Sequence, residues 1–376
     1  MKQKCDVRRA TRQSPLRIPG SFAPCLPEGR YPLRDKGLMM TFVFILATTL
    51  TYAQKGFEIE KLPERKQTDI YYNNKLITSF IYYDSLLKTA YYPISTVSGL
   101  HVTREFPYVK KPGERTDHPH HVGLFFAHQS VNEHDFWNMS TAIAPDKRNR
   151  YGKQVHISHK ASTKKNTATV VSKVSWQTYE GTKVLNEETS MTFSVAGNDL
   201  VIDRSTTLES IVDVTFKDEK DALLGLRVAR ELELPVQGKD KFTTADGGIT
   251  PEAIPNDISK VTGDYRNSES LIGEAVWGKK ATWVCLDGMK DGKEISIAII
   301  DHPKNVEYPS YWHARGYGLF AVNPLGKSVF TEGKAALDLK LPKGQSVTFR
   351  YRIVIREGGK LTSAELNQHL KTLGSL

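Results

Sequence analysis

The stretch TDHPHHVGLFFAH, Thr116 to His128, holds four of the chain's 11 histidines. Imidazoles at this density move protons or bind hydroxyls, ligate a metal, or satisfy polar groups at a strand end. For proton transfer the candidates are His120, His121 and, from a distant block, His313. Asp117 or Asp301 would orient such a ring, as a carboxylate does for a working histidine. For a metal, His118 and His120 would supply two ligands from one strand side, with His128 or His313 as the third. No HExxH, CxxC or helix-spaced pair supports that set. No cofactor is therefore expected unless a divalent metal sits there. All three readings stay open at this stage.

Two further blocks carry chemistry. IDHPKNVEYPSYWHARGYGLFAVNPLG, residues 300–326, packs aromatic and polar residues between apolar runs. Tyr311 and Trp312, with Trp137 from DFW after the histidine cluster, are candidates to stack on sugar rings. Arg315 and Asn323 would bind hydroxyls or a carboxylate. The plain alternative is an aromatic loop plugging one end of a sandwich. LLGLRVARELELP, residues 223–235, sets Arg227 and Arg230 among apolar residues with Glu231 and Glu233 behind them. Arg227 is a candidate ligand for an anionic or hydroxyl-rich group, and Glu231 a general base if it reaches the same cleft. An internal ion pair is the competing reading.

The elements that must position these residues repeat with period two. VTFRYRIVIRE, 347–357, puts Val347, Phe349, Tyr351, Ile353 and Ile355 on one face and Arg350, Arg352 and Arg356 on the other, a half-buried antiparallel strand. Residues 168–179, 183–195 and 199–210 read as consecutive strands, and 69–83 as a hairpin turning at Asn73-Asn74. A later pair turns near Met289–Gly292. Only TSAELNQHLKTL is convincingly helical, with Thr362 and Glu365 spaced as a capping box. In the cluster itself, Pro119 predicts an extended path, with His118 and His120 on one side and His121 on the other. The pattern predicts an all-β fold, a large antiparallel β-sandwich or supersandwich with a short C-terminal helix, as one domain over 54–376.

The N-terminus stands apart. Residues 38–53, LMMTFVFILATTLTYA, form a short apolar run ending in a small-x-small pattern, which reads as a signal peptide. It falls short of the roughly 20 apolar residues that a span needs. Residues 1–37 are read as an over-called extension, with the true start at Met39 or Met40, though such a start would lose the basic n-region. A periplasmic or secreted location follows, with no stable membrane span after cleavage. Residues 1–53 carry nine basic and three acidic residues, so only +4 of the net +10 remains in 54–376. That balance, without a nucleic-acid motif, argues against a nucleic-acid partner. Only Cys285 remains after cleavage, in an apolar strand-like run, and reads as an inert buried thiol.

The blocks HPHHVGLFFAH, DFW, GLRVA and the long DHPxNxxYPxYWHARGYGLFAxNPLG run resemble a bacterial family catalogued as "methane oxygenase PmoA", across nearly the whole of 54–376. One short apolar segment at the leader does not suit a membrane-embedded methane monooxygenase subunit. The resemblance implies an exported β-sandwich, akin to galactose-mutarotase-like supersandwiches, in glycan-degrading bacteria, and carries no catalytic residues with it. Together these readings point to an exported carbohydrate-active protein. An enzyme using His/carboxylate acid–base chemistry on a sugar or glycan fragment, as a hydrolase, lyase or epimerase, leads. A non-catalytic glycan-binding sandwich and a His-ligated metal enzyme are the alternatives.

Overall fold

The computed structural model describes residues 56–375. The leader reading falls on residues outside that range. Two eight-stranded antiparallel sheets face each other. The first runs, in spatial order, Phe57–Leu62, Gln67–Tyr72, Lys75–Ile81, Ala90–Ile94, Leu124–His128, Ala222–Arg227, Leu319–Asn323 and Tyr311–Ala314. The second runs Asp264–Asn267, Trp283–Lys290, Lys293–Asp301, Ser346–Glu357, Asp199–Ser210, Lys183–Ala196, Thr167–Thr178 and Gly152–Lys164. The expected large sandwich is therefore present, with a C-terminal helix Ser363–Gly374.

Alternation builds the interior. Phe349, Tyr351, Ile353 and Ile355 point inward and are buried. They meet the first sheet through contacts such as Phe349 on Phe126, with ring centroids 6.1 Å apart. Arg352 and Arg356, on the other face, pair with Asp203 and Asp199 of the neighbouring strand. The helix covers that face with Leu366 and Leu373. Cys285 is buried in the same layer, and burial pushes its thiol far above the ordinary range, as expected of an inert thiol.

The turns follow their residues. Asn73 and Asn74 adopt φ of 47° and 64°, and Asp291 and Gly292 adopt 49° and 75°. Positive φ at both central positions is the two-residue hairpin geometry that Asn, Asp and Gly tolerate. The capping box at Thr362 and Glu365 is present. Thr362→Ala should cost about 1 kcal/mol in urea unfolding. A loss below the error of that measurement would mean that docking alone holds the helix.

What matters for function is the outer face of the first sheet. Phe125, Gly225, Ala321 and His313 lie in register across four adjacent strands. Small residues in the middle of the row leave room above the sheet, and Phe125 crosses Gly225, where a Cβ would sit 2.7 Å from the ring. A second apolar cluster, including Phe125, Ala127, Trp137 and Leu319, covers this face. The first sheet is thus buried on both sides.

Candidate functional site

Arg104 builds the first wall. Its buried guanidinium donates to the carbonyls of Arg115, Asp117, His118 and His121 and to the Asp117 carboxylate. Four carbonyls on one cation fold residues 115–121 into a tight loop rather than the extended path that Pro119 predicts. His118 takes φ 43°, and the His121 N–H closes a turn on the His118 carbonyl. A left-handed histidine is uncommon, and such residues gather at functional sites. Gly123 then lets the chain enter the sheet. Its φ is 54°, and a Cβ there would lie 2.1 Å from the Tyr91 carbonyl oxygen.

The turn gathers all three rings on one side. His118 lies 4.8 Å from His121 at 5° and 5.3 Å from Tyr317 at 4°. His120 packs edge-on against both histidines. Their chemical situations differ sharply. His118 is the exposed ring, and its Nδ1 meets Asp117 Oδ2 at 2.5 Å. Asp117 also accepts from Arg227 Nη2 at 2.7 Å and Arg104 Nη1 at 2.9 Å. Burial opposes the Asp117 charge, but Arg227, the His118 hydrogen bond and Arg104 outweigh it and hold the carboxyl far below its usual range. The result is an ionised carboxylate locked on one side of an exposed imidazole.

His121 is sealed. Trp137 Nε1 donates to its Nε2 at 3.1 Å, and Arg227 Nη1, also a donor, lies 3.4 Å from its Nδ1. Burial, His120 and Arg227 keep the ring neutral. His120 is also buried, and burial together with Lys88 depresses its pKa well below normal. Its flank lines a separate cavity of about 390 Å³ with Tyr108 and Met139. Neither ring is placed to exchange protons with solvent as His118 is.

The second wall comes from the turn between Tyr311–Ala314 and Leu319–Asn323. Arg315 sits over Trp277 at 5.5 Å and over Tyr317 at 5.7 Å. Trp277 Nε1 donates to His313 Nδ1 at 3.3 Å, and His313 Nε2 faces Asp221 at 3.6 Å. Burial, then Lys220 and Arg315, push the His313 pKa down to about 3, so it is a neutral, fixed ring. The TDHPHH and YWHARGYG blocks, nearly 200 residues apart in sequence, therefore meet at His118 and Tyr317.

Several expected members lie elsewhere. Trp312 points to the opposite face from His313, is fully buried in the main core, and donates to the Ala281 carbonyl, so it cannot stack on a ligand. Trp137 is buried under the cleft as the partner of His121. Arg227 is fully buried and committed to Asp117. Asn323 spends its amide on the Glu219 and Lys220 carbonyls and the Leu325 N–H. Tyr311 stacks on Phe330, away from the histidines. Asp301 belongs to the second sheet, where it anchors Asn305 and Ser310; burial lifts its pKa to about 6. Glu231 pairs with Lys111 and Lys290; against the effect of burial, Lys111 and Lys290 hold it near 2 as a fixed anion. His128 lies at the far end of its strand, buried against Phe216, and accepts from the Ser130 N–H. It cannot join His118 and His120 on a metal. Among the described residues no group of three or more His, Cys, Asp or Glu is placed to hold one.

The sequence reading missed three members. Trp277 is 37% exposed and lies in a segment without periodicity. Tyr317 stands out as one of the aromatics of the long block, but nothing in the sequence gives it a role. Arg104, the organiser of the loop, gave no signal beyond a charge beside apolar residues.

A family model described as "Family of unknown function (DUF6807)" matches residues 67–371. The chain belongs to DUF6807. That span includes both walls of the cleft and covers much the same region as the PmoA resemblance, but the family shown carries no activity. No curated protein matches the DUF6807 chain. Among solved structures it is similar to the galactosidase domain of an α-galactosidase-sucrose kinase, at 11% identity and TM-score 0.34, covering 80% of this chain and 42% of that one. It is similar to a galactose mutarotase-like protein from Clostridium acetobutylicum at 9% identity and TM-score 0.31, over 80% and 98% of the two chains. A polysaccharide lyase matches at 11% identity and TM-score 0.26, over 84% and 34%. The chain thus spans less than half of the first of these. Among the described residues of this DUF6807 protein no helix is long and apolar enough to cross a membrane.

Proposed function

We propose that this DUF6807 protein is an exported carbohydrate-active enzyme that moves a proton through His118. The observation that carries the proposal is the pairing of an exposed His118 ring with a half-buried, ionised Asp117. A carboxylate on Nδ1 fixes the tautomer and leaves Nε2 as the basic atom. When Nε2 takes a proton, Asp117 stabilises the imidazolium that forms. Hydrolysis, elimination and epimerisation of sugars each need such a group. The exposed Trp277 face beside Arg315 suits the apolar face of a sugar ring, with Arg315 donating to oxygens. The apolar leader at 38–53 supports export. The methane-oxygenase name of the resemblance supplies no part of this reading.

The test is a saturation-transfer NMR screen of the protein against mono- and oligosaccharides, followed by product analysis. Trp277→Ala should weaken binding of any hit. His118→Ala should lower turnover about a hundredfold, the low end for a lost acid–base group, while binding survives. Unchanged turnover in His118→Ala removes His118 as the proton carrier. Binding without turnover in the unaltered protein would make it a glycan-binding module. No binding to any sugar would remove the carbohydrate reading.

A further inference from the structure

The charges of the cleft are not balanced. On this side of the first sheet Arg104, Arg115, Arg227 and Arg230 each pair with a carboxylate. Lys220 pairs with Asp221. Arg315 is different. Among the described residues no carboxylate reaches its guanidinium, which is held instead over the rings of Trp277 and Tyr317. It is half-buried at the tip of a tight turn, where the Arg315 N–H bonds the Leu319 carbonyl at 2.7 Å and the Gly318 N–H returns to the Arg315 carbonyl at 3.0 Å.

Two aromatic rings flank the guanidinium, and among the described residues its N–H groups make no side-chain hydrogen bond or ion pair. That is the arrangement in which arginine takes a carboxylate with two parallel hydrogen bonds. Packing against the two rings limits the side-chain freedom that binding would remove. Both neighbouring rings are neutral, since burial raises the Tyr317 pKa to about 12. Of the nearby acids, Asp117 is neutralised by two arginines and Asp221 by Lys220. Glu274, whose Oε1 lies near Gly316, is the remaining acid on this side of the turn, and it makes no ion pair with Arg315. His118 also packs against Tyr317, so a ligand anchored at Arg315 reaches the proton carrier around the rim of one ring.

We infer that the ligand is an acidic sugar, a uronate whose carboxylate binds Arg315 while its ring lies towards Trp277 and His118. This rests on the carbohydrate reading above and narrows it to one substrate class.

The experiment titrates the full protein with oligogalacturonate and oligoglucuronate, and with the same oligosaccharides after reduction of each carboxyl to a hydroxymethyl group, by calorimetry. At least one uronate should bind about tenfold tighter than its reduced form, or about 1.4 kcal/mol. The difference should shrink in high salt. Arg315→Gln should bring the acidic and reduced forms to equal affinity, and Arg315→Lys should restore part of the difference. Equal binding of acidic and reduced forms overturns the inference and leaves the carbohydrate reading standing. A preference that survives in Arg315→Gln overturns the role of Arg315. Binding of neither form overturns both.

Discussion

Asp117→Ala should destabilise the protein by about 3–5 kcal/mol in urea denaturation at neutral pH, the range for breaking a buried ion pair from one side. Asp117 accepts from two arginines whose side chains are 1% and 0% exposed. Arg104 retains four carbonyl acceptors when the carboxylate is lost. Arg227 does not, and its remaining neighbours are the His121 ring and the Tyr317 face. An unpaired guanidinium under the cleft floor is what the substitution leaves behind. Asp117→Asn keeps the shape and one acceptor, so it should cost less and still remove the charge that orients His118. The pH dependence has a definite sign. The folded carboxyl titrates far below its usual range, so its contribution is fully present above the ordinary carboxylate value of about 3.9 and is lost only as pH falls below it. The part of the difference that comes from the carboxylate's own titration should therefore be constant from about pH 5 upwards and shrink in acid. A difference under 1 kcal/mol at neutral pH would mean that Arg227 finds water or carbonyl partners, and the Asp117 dyad would lose its structural basis.

The same residues show what was legible in the chain. Hairpins announced themselves because Asn73-Asn74 and Asp291-Gly292 tolerate positive φ, and the strand at 346–357 because only one of its faces is apolar. The two histidine-bearing blocks do converge, but at His118 and Tyr317, with Trp312 turned into the main core. The choice between Trp312 and His313 was not legible. They alternate, and the first sheet is buried on both faces, so apolar character cannot say which side meets the main core. Likewise, proline's preference for an extended neighbour predicted His118 and His121 on opposite sides. Hydrogen bonds from Arg104, more than ten residues upstream, outweigh that local preference. Local rules fail here because a tertiary contact decides, and it leaves His118, the ring proposed to carry the proton, at positive φ.

Lys88→Met should stabilise the protein, and by an amount that depends on pH. Lys88 is fully buried beneath the cleft, with its Nζ 2.8 Å from the Trp137 carbonyl and 4.7 Å from the Phe125 centroid. Burial lowers its pKa from 10.5 to about 7, with Asp135 opposing the shift. Between those two values the unfolded chain holds a proton that the folded chain has released, so stability rises with pH across the window. At or below about pH 7 the folded protein carries most or all of the cost of a buried ammonium. That cost reaches about 4–5 kcal/mol at the stated shift, at about 1.4 kcal/mol per pH unit. Methionine fills similar volume without charge, but leaves the Trp137 carbonyl unpaired at a cost of about 1–3 kcal/mol. The net gain should be clearest near pH 6, shrink as pH rises, and turn to a loss near pH 10, where the neutral amine still donates to Trp137. Urea midpoints of both proteins at pH 6, 8 and 10 decide it. A pH-independent difference would mean that the amine reaches water and keeps its ordinary pKa. A gain that fades with pH would establish that Lys88 is uncharged in the folded protein above about pH 7, where its amine donates to the Trp137 carbonyl.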